Sequence, residues 1–122
     1  MPSIRVYAIP GVAKQLTDQM ENKLFQALRS RVAVAFGLEV KDTEVLMIPI
    51  ERCVNAAPLA IEVMYSVTTK LDLDMATRIA LAEGIISMLN NFDWLPADVN
   101  EVSVWVLPQH DAIFRIQPMA TH

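Results

Sequence analysis

Two stretches of this chain share one pattern, and that pattern limits the folds open to it. Thr43-Glu44-Val45-Leu46-Met47-Ile48-Pro49 and Asn100-Glu101-Val102-Ser103-Val104-Trp105-Val106-Leu107-Pro108 each begin with a polar residue and Glu-Val, and each end on an apolar residue and Pro. Each follows a strand-like and then a helix-like segment, so the chain reads as strand, helix, strand, twice over. In the first unit the alternating run Ser3 to Ile9 is a strand closed by the turn pair Pro10-Gly11. Leu16, Met20, Leu24, Leu28 and Val32 then recur every fourth residue, which predicts a helix from Ala13 to Phe36 with Gly37 as its C-cap. The apolar run Glu44 to Ile50 predicts a strand covered on both faces, with Pro49 marking a bulge or a sheet edge.

The second unit restarts after Asn55-Ala56-Ala57-Pro58. It predicts a strand over Ala60 to Thr68 and a helix capped by Asp72 or Asp74 that runs to about Asn90. Ile79, Ile85, Ile86 and Leu89 mark the expected buried side of that helix, and Asn100 to Pro108 is the last long strand. Ala112 to Ile116 could add a short extra one. Right-handed crossovers make the two strands of each unit parallel. The expected fold class is therefore α+β: two pseudo-symmetric β-α-β units forming one four-stranded sheet with both helices on one face. The 122 residues fit a single domain, 1–122, with repeats at about 2–51 and 58–108 and a tail at 109–122. A ferredoxin-like β-α-β-β-α-β domain has the same order of elements, and strand order separates the two.

The composition is 53% hydrophobic, high for a chain of this size, and the sheet's second face has no helix to cover it. That face is expected to meet other subunits. No uncharged run approaches the ~18 residues of a membrane span, and no basic, then apolar, leader precedes the first strand. With one cysteine, Cys53, no internal disulfide is possible, and a reducing cytoplasm is the expected location. The net charge of −4 and the scattered basic residues argue against a nucleic-acid partner. Two histidines and one cysteine make a poor zinc set, and no cofactor is expected.

Met1-Pro2 is the candidate for chemistry. Aminopeptidase removal of Met1 would leave Pro2 with a secondary amine able to act as a base; with Met1 attached, that nitrogen is an amide and cannot. An unperturbed α-amine titrates near ~8, so a pocket must lower its proton affinity for work at neutral pH. The bland reading is an ordinary trimmed N-terminus. Arg52, after the second long strand, could grip a carboxylate in bidentate fashion or pair with Glu51 on the surface. Lys14 near the first helix start is a second candidate cation or a solvated side chain. Arg5, opposite Ile4 and Val6 on the first strand, is an interface ion-pair residue or a pocket cation. Trp105 and Tyr65 line either a pocket or a core. Cys53 reads as a small loop or interface residue before a nucleophile, and His110 as a solvated turn residue.

With Met1-Pro2 entering a strand, the duplicated β-α-β order and the run Glu44 to Pro49, the chain resembles the tautomerase superfamily. That group includes 4-oxalocrotonate tautomerase and macrophage migration inhibitory factor, and the nearest likeness is to a long-chain bacterial branch. The resemblance implies a homotrimer whose sheets form a central barrel, with a pocket at each subunit boundary. It also implies a cofactor-free isomerase in which the N-terminal proline moves protons on small keto or enol compounds. Carried over residue by residue, Pro2 matches the catalytic proline. The substrate-binding arginines fall at Val12, with Lys14 the nearest cation, and at Leu46. A lysine after the first helix falls near Leu38, and a tyrosine and an asparagine of the last strand fall near Ser103 and Trp105. The resemblance therefore leaves two functional expectations. One is a tautomerase-like enzyme using Pro2, with Arg52, Lys14 and Trp105 as substrate-binding candidates. The other is an inactive oligomeric scaffold or small-ligand binder of the same fold.

Overall fold

The computed structural model describes residues 2–50, 57–68 and 71–109. The elements run β1 (Ser3–Ala8), α1 (Pro10–Gln15), α2 (Asp18–Phe36), a 3₁₀ turn (Val40–Asp42), β2 (Glu44–Pro49), β3 (Leu59–Ser66), α3 (Met75–Asn90) and β4 (Val102–Gln109). The four strands form one sheet in the order β2-β1-β3-β4. β1 is parallel to β2 and β3 is parallel to β4, while the central pair β1 and β3 is antiparallel. The two strands of each unit are direct neighbours. A split β-α-β arrangement separates them by an inserted strand, so the ferredoxin-like alternative is ruled out.

Alternation sets the layers. Ile4, Val6 and Ala8 of β1 are buried, as are Leu59, Ile61, Val63 and Tyr65 of β3. The register pairs Ile4 with Val63, Val6 with Ile61 and Ala8 with Leu59, so one face of the sheet is continuously apolar. Leu24, Leu28, Val32 and Phe36 of α2 and Leu81, Ile85 and Leu89 of α3 pack on that face to form the core. The helix ends are well specified. The Thr17 hydroxyl accepts from the Met20 amide at 3.2 Å and starts α2. Gly37 stops it in the left-handed region at φ 66°, and the Leu38 amide returns to the Ala33 carbonyl at 2.9 Å. The Asp74 carboxylate accepts from the Thr77 amide at 2.7 Å and starts α3. Arg29 ties α2 to the approach of β2, donating to the Thr43 hydroxyl at 3.2 Å and the Val40 carbonyl at 2.9 Å.

Three expectations need correction. The first helix is two helices: the chain breaks at Leu16-Thr17 because Thr17 adopts extended backbone and caps α2. β2 is an outer strand rather than one covered on both faces: Val45 and Met47 pack on the core, but Leu46 is 46% exposed. On α3, Ile85 and Leu89 are buried as expected, but Ile79 and Ile86 face outward at 50% and 36% exposure, and Leu81 takes the core position. The expected strand at Ala112 to Ile116 lies outside the described residues.

Candidate functional site

Pro2 is fully buried at the entry to β1. The antiparallel register pairs Ser3 with Met64, and one further step places Pro2 opposite Tyr65. By the period of two, both lie on the helix-covered face with Ile4 and Val63. Tyr65 is only 2% exposed, and its ring meets Phe36 edge-on at 4.9 Å and 70°. Its hydroxyl oxygen is buried without a hydrogen-bond partner among the described residues, and so is the Nε of Arg78. Arg78 sits in the first turn of α3. Burial pushes the Tyr65 phenol above its ordinary value; the Arg78 guanidinium opposes the shift, Asp72 adds to it, and the Leu73 backbone opposes it least. An unsatisfied buried polar atom costs about 1–3 kcal/mol. Two of them, on groups that sense each other's charge, mark this end of the sheet as unlike the rest of the core.

The open face carries a second set of groups at the same end. Leu46, Arg5, Glu62 and Trp105 form one row across the sheet. A guanidinium nitrogen of Arg5 lies 3.8 Å from a Glu62 carboxylate oxygen, and the Tyr7 hydroxyl donates to that oxygen at 3.3 Å. Arg5 Nε is also buried without a partner among the described residues. Arg5 borders a cleft of about 200 Å³ with Ser3, Met64, Tyr65, Ser66 and Gln109. Ser3 is the chain neighbour of Pro2, but Pro2 itself does not border this cleft. Part of Arg5's charge is already answered by Glu62, and a half-exposed pair of this length is worth about 0–1 kcal/mol.

The expected site residues are only partly gathered here. Lys14 is exposed on α1, which leaves the far end of β1 roughly 20 Å along the strand from Pro2. Trp105 is 57% exposed on the open face, the opposite side of the sheet from Pro2. Arg52 lies outside the described residues, as do Met1, Cys53 and His110. Within one protomer Pro2 shares the helix-covered face with Tyr65, whose phenol senses the Arg78 charge, while Arg5 lies with Trp105 on the open face. Arg5 showed only its strand parity in the sequence, and Arg78 showed nothing until Asp74 was fixed as the cap that orients α3. Among the described residues, no group of three or more His, Cys, Asp or Glu could hold a metal ion. None of the described helices is long and apolar enough to cross a membrane.

This fold recurs among solved structures. A member of the cis-3-chloroacrylic acid dehalogenase family matches at 13% identity and a TM-score of 0.63, covering 88% of this chain and 75% of that one. Malonate semialdehyde decarboxylase matches at 13% identity and 0.62, covering 94% and 90%. A fused 4-OT, an asymmetric trimer, matches at 13% identity and 0.59, covering 93% and 91%. The chain thus shares its architecture with these proteins, as the sequence resemblance implied for the fold. No protein-family model and no curated protein matches the chain.

Proposed function

We propose that this protein is a cofactor-independent proton-transfer enzyme of the tautomerase kind, acting on a small keto or enol acid once Met1 has been removed. The observation that carries the reading is the grouping at the head of β1: Pro2 buried opposite Tyr65, with the Tyr65 hydroxyl and Arg78 Nε both buried and unpartnered. The freed Pro2 nitrogen is the general base. It takes a proton from the carbon beside the carbonyl and returns it to the far carbon of the conjugated system. Tyr65, a neutral phenol at neutral pH, donates a hydrogen bond to the developing enolate oxygen. Arg78, whose charge Tyr65 senses, is the cation available for the substrate carboxylate. Arg52, Lys14 and Trp105 enter only if a neighbouring subunit brings them to this end of the sheet. The trimeric fused 4-OT structures and the bare sheet face support a homotrimer as the assembly to supply such a neighbour.

The test is turnover of phenylenolpyruvate-type compounds and hydroxymuconates by untagged, Met-free protein. Pro2→Ala is expected to lower kcat about 10²-fold or more, the scale of a positioned proton-transfer group. Equal rates for Pro2→Ala and wild type, or no turnover of either class, count against the reading. The competing reading is a catalytically inactive scaffold or ligand binder of this fold. It draws support from the Arg5–Glu62 pair, which occupies the cleft cation with a partner from its own sheet.

A further inference from the structure

The open face of the sheet holds an arginine that its own fold leaves short of acceptors. Arg5 Nε is buried with no hydrogen-bond partner among the described residues. The Glu62 carboxylate stands 3.8 Å from a terminal guanidinium nitrogen, beyond hydrogen-bond distance, and the same oxygen already accepts from the Tyr7 hydroxyl at 3.3 Å. Glu62 therefore offers Arg5 its charge without the paired, short N–H to oxygen contacts that suit a guanidinium best. The Arg5 side chain is 40% exposed overall, so a small solute can reach it.

The cleft that Arg5 borders is lined by neutral groups able to donate. Ser3 lies two residues before Arg5 and so on the same face of β1. Ser66 and Gln109 are register partners where β3 and β4 end. With Met64 these residues border the cleft, and no acidic side chain does so. Two hydroxyls and a carboxamide beside a guanidinium make a donor-rich hollow of about 200 Å³. The hollow is distinct from the grouping around Pro2. Tyr65 borders it between Met64 and Ser66, but the Tyr65 ring packs on Phe36 in the core and its hydroxyl is buried from solvent.

We propose that this cleft is a binding site for a small oxyanion, a carboxylate or phosphate group gripped by the Arg5 guanidinium and by the side chains of Ser3, Ser66 and Gln109. The oxyanion takes the N–H donors that Glu62 leaves unused, and the hydroxyls and the carboxamide donate to its remaining lone pairs. Glu62 repels the ion and competes for the same cation, so it sets the affinity low. The site stands whether or not Met1 is removed, because no part of it uses the Pro2 nitrogen.

The experiment is NMR on full-length protein with labelled arginine side chains and backbone amides, the Arg5 Nε–H signal being assigned by its loss in Arg5→Met. Sodium phosphate and sodium acetate are titrated separately at pH 7, with sodium chloride holding the ionic strength. A saturable shift is expected at the Arg5 Nε–H and at the Ser66 and Gln109 amides, half-complete on the order of 1–10 mM for so small a ligand. A response to phosphate alone assigns a phosphate-bearing ligand, and a response to acetate alone a carboxylate. Glu62→Gln is expected to lower the half-saturating concentration about two- to fivefold, the factor that matches the worth of an exposed ion pair. Arg5→Met should abolish the amide shifts, and Arg5→Lys, which keeps the charge but loses the fork, should weaken binding several-fold. No saturable shift with either ion would overturn the proposal, as it would if a neighbouring subunit already satisfied Arg5. Saturable shifts that persist unchanged in both Arg5 variants would overturn it too.

Discussion

Replacing Tyr65 by Phe separates stability from function at the head of β1. The ring fills the core at 2% exposure and meets Phe36 at 4.9 Å, and Phe keeps both of these. Only the hydroxyl is lost; no group among the described residues meets it with full hydrogen-bond geometry, although the Leu73 backbone lies close enough to favour its ionised form. Burying an unpartnered hydroxyl costs about 1–3 kcal/mol, so Tyr65→Phe should stabilise the fold by about 1 kcal/mol at pH 7, where the phenol is uncharged. For a chain of this length that raises Tm by roughly 3–6 °C. The pH dependence carries a second signature. The folded state holds the Tyr65 phenol above its ordinary 10.0, so the native state keeps a proton that the unfolded state gives up. The neutral phenol's contribution is thus complete below about pH 10 and is lost as pH rises through the raised value, a loss that Tyr65→Phe should lack. Urea melts of both proteins at pH 7 and at alkaline pH measure this directly, and the turnover assay should show the more stable variant to be the slower enzyme. A variant less stable by about 1 kcal/mol would mean that the hydroxyl is satisfied in the folded protein, and the argument from an orphaned group would fail.

The core prediction is plainer. Leu28 is fully buried at the centre of α2, and Leu28→Ala should lower the unfolding free energy by about 2–5 kcal/mol in urea melts, with Leu46→Ala on the half-exposed outer strand costing clearly less if the chain is monomeric. Asp74 is held below its ordinary value of 3.8 by the Thr77 side-chain hydroxyl and by the Thr77 amide. Its capping contribution is therefore present above the unfolded pKa and lost as pH falls through the lowered folded value; Asp74→Asn should flatten the acid limb of stability, as read by circular dichroism at 222 nm. Arg78→Gln should raise KM for a carboxylate substrate more than it lowers kcat, and a pure kcat effect would remove Arg78 from substrate binding.

Much of the fold was legible because period and punctuation agreed. The fourfold spacing from Leu16 to Val32, Gly37 after it and the alternation in Ser3 to Ile9 each demand one conformation, and the duplicated Glu-Val strands then fix a parallel pair in each unit. The errors fall where a local rule met a second solution. Thr17 offered an N-cap inside an apparently continuous apolar period. The run from Glu44 to Ile50 reads the same for a central strand as for an outer one whose bare side meets another surface. Ile79 and Ile86 are as apolar as Ile85 and Leu89, so hydrophobicity could not show which stripe of α3 faces the core. The site was less legible still. Pro2 was visible as a candidate from its position alone. Its companions Tyr65 and Arg78 are 63 or more positions away and become neighbours only through the β1–β3 register and the entry angle of α3. Lys14 was a candidate as the cation nearest Val12, where the resemblance sets a substrate-binding arginine, and the six residues of β1 separate it from Pro2 within one chain.

The central claim is that the Pro2 nitrogen is a free amine, and the intact mass of untagged protein purified from its native cell tests it most directly. The account predicts a mass short by one methionine residue. A full-length mass would leave that nitrogen in an amide bond, remove the base from the mechanism, and leave the scaffold or ligand-binding reading in its place.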